Sequence, residues 1–345
     1  MPKGDATILV TGGCGFIGSN LIRHIIASRL GWRVVNVDSL TYAGNPLNLA
    51  DLDGNPRYRF EQVDIAEYAD VARVFQEHAP SAVINCAAET HVDRSLDDGK
   101  DFVRTNVLGT QVLLELARTQ GCRFLQVSTD EVYGSLGLTG KFTEDTPLSP
   151  NSPYAATKAA ADLLVLAAFH SYGQDIVITR SSNNYGPYQY PEKLIPLMIT
   201  NSLESQPLPV YGQGTNVRDW IHVTDHCKAL LAAVEKGGKG RVYNIGGASE
   251  ETNLRVVQMI LDNLEKPESL IRFVPDRPGH DLRYAIDFQR AQAELDWEPD
   301  ITFAQGLRDT VTWYVENREW WEGIKSGAFR RFYAKQYDAR LKDYR

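Results

Sequence analysis

Thr7-Ile8-Leu9-Val10-Thr11-Gly12-Gly13-Cys14-Gly15-Phe16-Ile17-Gly18 runs from a short apolar strand through a glycine loop into a largely apolar helical segment, Leu21 to Ala27, interrupted only by Arg23 and His24. Gly12, Gly15 and Gly18 let the backbone turn tightly, approach a pyrophosphate and pack helix on strand, while the helix amino terminus offers free N–H groups to phosphates. The spacing is G-x-x-G-x-x-G rather than G-x-G-x-x-G. A glycine pattern alone is a tight turn. The strand before it and the helix after it make it a dinucleotide loop.

Residues 32–37 read as a second strand that ends in Asp38, twenty residues after Gly18, the distance at which an acid meets the adenine ribose. A carboxylate there accepts from both ribose hydroxyls and repels a 2′-phosphate, so NAD is favoured over NADP. Residues 58–63, 82–86, 123–127 and 175–179 are further strands, and 106–120 and 152–172 are apolar helices. This alternation predicts an α/β fold, a Rossmann-type doubly wound parallel sheet. The polar, turn-rich run from Ser181 to Pro187 then breaks the pattern. A smaller, discontinuous C-terminal substrate domain is expected beyond it, with helices at 193–202 and 253–265, strands at 208–211 and 271–274, and a helical tail from Thr302. Residues 218–223 return to the first lobe. The expected division is 1–183 plus about 217–247 for the NAD-binding domain, and about 184–216 plus 248–345 for the sugar-nucleotide domain. Trp313, Tyr314, Trp320 and Trp321 in the tail read as core filling.

A chain of 345 residues with 43% apolar and 23% charged residues has the composition of a soluble globular protein. It has no apolar run of about 18 residues that could span a bilayer. Only residues 1–5 precede the first strand, too few for a secretory signal, so a cytoplasmic location is expected. Cys14, Cys86, Cys122 and Cys227 are scattered, which suggests neither disulfides nor a metal site. A net charge of −8 argues against nucleic acid as the main partner. The helices at 106–120 and 152–172 carry more apolar surface than one sheet-facing stripe needs, which points to a homodimer.

The chemistry is expected where residues 123–127 run out into Ser128-Thr129-Asp130-Glu131-Val132-Tyr133-Gly134, because ligands bind beyond the carboxyl ends of strands in an open parallel sheet. Tyr154 and Lys158, four apart on a helix, share one face. A tyrosine takes a hydroxyl proton near neutral pH only if positive charge lowers its pKa from about 10, and Lys158 and an oxidised nicotinamide are the expected sources. Thr129 is available to bond the same substrate hydroxyl. His91 in its polar loop reads as pocket lining rather than as a catalyst. Asp64, after the third strand, could hold the adenine amino group, and the small residues Ala87 and Ala88 would let the dinucleotide lie close.

From the Gly12 loop to Asp219-Trp220-Ile221-His222-Val223 the chain resembles the extended short-chain dehydrogenase/reductase superfamily. Within it, the 128–134 run is similar to the dTDP-glucose 4,6-dehydratase family, as are Ala87-Ala88-Glu89-Thr90-His91-Val92-Asp93-Arg94-Ser95, Asn183-Asn184-Tyr185-Gly186-Pro187-Tyr188, Pro191-Glu192-Lys193-Leu194-Ile195-Pro196 and Asp276-Arg277-Pro278-Gly279-His280-Asp281. The adjacent Asp-Glu is the specific feature, since related sugar epimerases lack it. Thr90 and Ala155 stand where serine is usual, and Arg218 precedes the Asp-Trp pair; none of these departures removes a reacting group.

The resemblance implies an NAD-dependent hydro-lyase that converts dTDP-glucose to dTDP-4-keto-6-deoxyglucose and water. The steps would be C4 oxidation, elimination across C5 and C6, and hydride return to C6. Tyr154, with Thr129 and Lys158, would take the 4-hydroxyl proton, Glu131 the C5 proton, and a protonated Asp130 would assist the departing 6-hydroxyl. Around the cofactor the resemblance adds Phe16, Ile17, Ser39, Leu40, Thr41, Ile65, Glu89, His91, Thr105 and Asn184. Around the sugar nucleotide it implies Thr90, Asn183, Lys193, Leu194, Pro209, Val210, Tyr211, Arg218, Asn253, Asp276, Arg277 and His280; Arg218 and Arg277 suit a diphosphate, because guanidinium forks match its oxygens. The rival readings are a UDP-glucose 4,6-dehydratase and an NAD-dependent 4-epimerase. A non-catalytic dinucleotide sensor of the same fold would lack the Tyr-Lys pair.

Overall fold

Apolar runs become the buried strands β1 (Ala6–Thr11), β2 (Trp32–Asp38), β4 (Ala82–Asn85), β5 (Arg123–Thr129) and β6 (Ile176–Ser181), and the more polar run Tyr58–Gln62 becomes the half-exposed edge strand β3. In the computed structural model, which describes residues 5–276, 279–338 and 340–341, they are followed by β7 (Asn183–Tyr185), β8 (Leu208–Tyr211), β9 (Val217–His222), β10 (Arg241–Ile245), β11 (Glu250–Thr252) and β12 (Ile271–Val274). Seven strands form one sheet in the order β3-β2-β1-β4-β5-β6-β10, and every pair in it is parallel.

Alternate residues of these strands feed two apolar layers, as a sheet covered on both faces requires. Ile8, Val10, Val34, Ile84 and Leu125 pack on one side with residues of the Phe16–Ser28 and Val223–Lys236 helices. Leu9, Val35, Val83 and Phe124 pack on the other with residues of the Tyr68–His78, Thr110–Gln120 and Pro153–Tyr172 helices. The strand order reverses at β1, which lies between β2 and β4, so the ligand crevice of such a sheet falls at the carboxyl ends of β1 and β4.

The rest of the chain builds a three-stranded sheet, β11-β9-β7, and a two-stranded one, β12-β8. Tyr185, Ile199, Val257, Leu307, Tyr314 and Trp321 centre their core. Tyr314 and Trp321 are fully buried, and Trp313 and Trp320 pack against them, as expected of core fillers.

Three elements differ from the sequence expectation. β10 is a seventh strand of the large sheet, and its short run of mixed character, Arg-Val-Tyr-Asn-Ile, carries no alternating signal. The polar run after Ser181 contains β7, which pairs with β9 outside the large sheet. The helix expected at 106–120 starts as a wide turn, Val103–Gly109, before Thr110–Gln120. There a Cβ on Gly109 would lie 2.5 Å from Ile65 Cδ1. The wide turn also carries Asn106, which bonds the Glu89 backbone through both amide atoms, at 2.9 and 3.1 Å.

Candidate active site

The loop after β1 passes so close to the end of β4 that only glycine fits. Gly12 has φ +66, and a Cβ there would stand 2.7 Å from Ala87 Cα; one on Gly18 would meet the Gly12 carbonyl at 2.2 Å. A cradle in which backbone replaces side chain suits a pyrophosphate. At its rim Asp38 Oδ2 accepts the Cys14 N–H at 2.9 Å and Oδ1 accepts the Leu40 N–H at 2.8 Å. Each oxygen keeps a lone pair for a ribose hydroxyl. Burial pushes the Asp38 carboxyl up, and the two N–H donors pull against it. Leu40 takes a left-handed conformation, φ 56, to bring its N–H round. The residues present therefore fit an adenine dinucleotide without a 2′-phosphate.

One cleft collects most of the expected cofactor residues: Gly12, Gly15, Phe16, Ile17, Gly18, Asp38, Ser39, Thr41, Asp64, Ile65, Ala87, Ala88, Glu89, Thr105 and Asn184. Thr129, Asp130, Glu131, Tyr154 and Lys158 line it too, with Thr90, Asn183 and Lys193. His91 does not. It caps the Val92–Asp97 helix, with its ring edge-on to Phe332 at 5.2 Å and Nε2 3.9 Å from Glu192. It braces the wall from behind.

The remaining expected sugar-nucleotide residues stand outside that lining. Val210 of β8 is buried in the core of the smaller sheets, so its side chain is structural. Pro209 shares that strand, and Leu194 opens the Leu194–Leu203 helix. Tyr211 Oη donates to Asp93 Oδ2 at 3.2 Å and accepts from Gln336 and Arg340, both at 2.7 Å. Asn253 opens the Asn253–Asn263 helix, and Asp276 pairs with His280 at 2.6 Å. Arg277 lies outside the described residues. Arg218 is buried over the Tyr284 ring at 4.4 Å and donates to the Val217 and Asp281 carbonyls at 2.8 and 3.0 Å. It lies inside rather than on the surface, and its charge reaches Asp130.

The two carboxyls after β5 differ. Asp130 is buried, and burial first, then the negative charges of Glu131 and Asp219, push its pKa well above the ordinary range. The shift favours its protonated form. Thr129 Oγ1 donates to its Oδ1 at 3.3 Å and accepts the Glu131 N–H at 3.2 Å; its Oδ2 has no partner among the described residues. Glu131 beside it is half-buried.

Tyr154 departs from expectation. Burial and then the Glu131 charge push its phenol far up, with the Thr129 hydroxyl bond pulling it down. Lys158 Nζ turns instead to the Val127 carbonyl, at 2.7 Å, and burial lowers its own pKa. The chain's own groups thus leave Tyr154 protonated, and the lowering charge falls to an oxidised nicotinamide.

Other residues of the site were given no role from the sequence. Glu192, buried in the cleft wall, accepts from Tyr42 Oη at 2.8 Å and from Arg94 at 3.1 Å, across 150 and 98 residues of chain. Asp162, one turn beyond Lys158, meets Arg180 at 2.8 Å with both side chains buried.

A parallel sheet reversed at β1, a glycine cradle there and a Tyr-Lys pair beside paired carboxyls define a dinucleotide-dependent enzyme of the short-chain dehydrogenase/reductase class. The family model described as GDP-mannose 4,6 dehydratase matches residues 9–310. A dTDP-glucose 4,6-dehydratase of Xanthomonas campestris is 52% identical, over 94% of this chain and 97% of its own. Among solved structures, the dTDP-glucose 4,6-dehydratase of Streptomyces venezuelae with NAD bound superposes with a TM-score of 0.90 at 49% identity, covering 92% of this chain and 100% of that one. The Bacillus anthracis enzyme in complex with NAD gives 0.88 at 49%, covering 93% and 100%. The chain belongs to the dTDP-glucose 4,6-dehydratase family of the extended short-chain dehydrogenases/reductases.

Proposed function

We infer that the chain is an NAD-dependent dTDP-glucose 4,6-dehydratase, a hydro-lyase that forms dTDP-4-keto-6-deoxyglucose. The observation that carries this reading is the buried Asp130 next to Glu131 at the end of β5, within one cleft with Tyr154. A 4-epimerase has no use for such a pair. Bound in the cleft, NAD supplies the hydride acceptor and later the hydride donor. Tyr154 Oη takes the proton of the sugar's 4-hydroxyl, with Thr129 Oγ1 bonded beside it. The 4-keto group makes the C5 hydrogen acidic, so Glu131 can remove it while Asp130 protonates the departing 6-hydroxyl. Glu131 then returns a proton to C5. Incubation with dTDP-glucose should yield the alkali-induced absorbance of a 4-keto sugar. Product from UDP-glucose at an equal rate would overturn the thymidine assignment.

The Asp38 geometry supports NAD over NADP. NAD should copurify, and Asp38→Ala should relax the preference by removing the charge that faces a 2′-phosphate. Finding NADP in the denatured parent protein would contradict this.

We propose a homodimer through the helices at 106–120 and 152–172. Leu108 and Leu163 are 46% and 58% exposed there, and both would be covered in such a dimer. Leu163→Glu should give a monomer by sedimentation, and a parent protein that sediments as a monomer at micromolar concentration would sink the proposal. A cytoplasmic setting is part of the same reading, supported by four free cysteines and checked by cell fractionation; among the described residues no helix is long and apolar enough to cross a membrane. The proposed domain division keeps 1–183 and about 217–247 with the cofactor. Hydrogen exchange of β9 in step with β7 and β11, rather than with the large sheet, would move residues 217–222 across that boundary.

A further inference from the structure

Four segments remote in sequence meet behind the cofactor cleft. Arg94, on the Val92–Asp97 helix, lays its guanidinium 4.0 Å from the centre of the Tyr42 ring and 4.1 Å from that of Phe332. It is sandwiched between two aromatic faces. Its Nε and Nη2 donate to Glu192 Oε2 at 3.2 and 3.1 Å, and Glu192 Oε1 accepts from Tyr42 Oη at 2.8 Å. Phe332 belongs to the Ala328–Tyr333 helix near the carboxyl end of the chain. One further contact pins that segment to the Val92–Asp97 helix, Gln336 to Asp93 at 2.9 Å; the Lys335–Asp97 pair at 2.6 Å is exposed and adds little.

The arrangement straps the cleft shut. Tyr42 lies between Thr41 and Ala43, both of which line the cleft, and Glu192 lines it from the other lobe with Tyr190 and Lys193. The Tyr42–Glu192 bond therefore ties one wall to another, and the Arg94 stack holds both ends of that tie. Glu192 is buried with two partners satisfied, so parting the walls would strand a desolvated carboxyl. A flat guanidinium stacked on rings keeps its edge free for a carboxylate, which an ammonium cannot do.

We propose that Arg94, held between Tyr42 and Phe332 and paired with Glu192, is the positioning residue of a latch that closes the cofactor cleft and sets how slowly NAD leaves it. A dehydratase that lends out a hydride and recovers it within one turnover needs its cofactor retained between those two events. The latch meets that need with groups that touch neither sugar nor the reacting atoms. It rests on the reading of the cleft as an NAD site.

The test measures NAD dissociation from the full-length protein loaded with NAD, without sugar nucleotide, so that no catalytic step enters. Phe332→Ala should release NAD about tenfold faster than the parent, the loss expected of a partly desolvated cation–ring contact. Phe332→Tyr, which restores a ring, should release it at the parent's rate. Arg94→Lys should resemble Phe332→Ala, because charge without the flat face neither stacks nor forks. Lys335→Ala removes only an exposed ion pair of the same segment and should leave release unchanged. Parent-like release from both Phe332→Ala and Arg94→Lys would overturn the latch while the NAD site stood. A parent protein that binds no NAD would take down the site and the latch together.

Discussion

Glu131→Gln should oxidise its sugar and then stall. Mixed with dTDP-glucose in a single turnover, this variant is expected to build up the absorbance of reduced nicotinamide and hold it, with 4-keto-6-deoxy product suppressed by about 10²–10⁴-fold, the usual worth of a positioned acid or base. C4 oxidation draws on Tyr154 and Thr129, which the substitution leaves alone. C5 deprotonation needs a carboxylate, and an amide cannot accept that proton. Asp130→Asn should stall more mildly, because a poor leaving group slows the loss of water without removing the base. The two carboxyls also predict a pH signature. The Asp130 pKa is raised by burial and by Glu131 and Asp219, so its protonated form persists above the ordinary carboxylate range and is lost as pH rises through that raised value. Dehydration should therefore decline on the alkaline side, and Asp130→Asn should lack that limb. Near-normal turnover by Glu131→Gln would make the pair structural and restore the 4-epimerase reading.

How far the site could be read in advance follows from how local its parts are. Gly12 through Gly18 and Asp38 were legible because cofactor binding at a sheet's switch point is written in the spacing between one strand and the next. Asp130, Glu131, Tyr154 and Lys158 were legible for a similar reason: a strand end and one helical turn place them. Glu192 was not, because what makes it part of the wall is Tyr42 and Arg94, far away in the chain, and nothing around residue 192 signals them. β10 escaped notice because Tyr243, Asn244 and Ile245 are all buried, so a polar residue sits inside the buried run and neither an alternating nor a continuous apolar pattern marks it. The charge on Tyr154 shows another limit. Helical spacing put Lys158 on the right face, but its ammonium found a carbonyl at 2.7 Å, and a buried lysine takes a fixed acceptor when one is in reach. Spacing gives the face of a helix and leaves open where the end of a long side chain goes.

Tyr154→Phe separates the first step from all that follow. The substitution removes one oxygen from a side chain only 8% exposed, so the packing against Phe102, at 6.5 Å between ring centres, survives. NAD should stay bound. With dTDP-glucose added, neither reduced nicotinamide nor keto product should appear above about a hundredth to a ten-thousandth of the parent rate. The size of this loss reflects how few groups could take over. Thr129 has a hydroxyl of far higher pKa than an ordinary phenol, Asp130 is pushed towards its protonated form, and Lys158 is committed to the Val127 carbonyl. Glu131 remains a base, but it is kept for C5. The protein's own groups hold the Tyr154 phenol above its ordinary value, so the phenolate forms only when positive charge is brought in beside it. The parent's oxidation step should accordingly quicken as pH rises towards the phenol's pKa in the loaded cleft, and Tyr154→Phe should show no such rise. Reduced nicotinamide forming in Tyr154→Phe within a few-fold of the parent rate would mean that the 4-hydroxyl proton goes elsewhere, and Glu131 would then be the first residue to test.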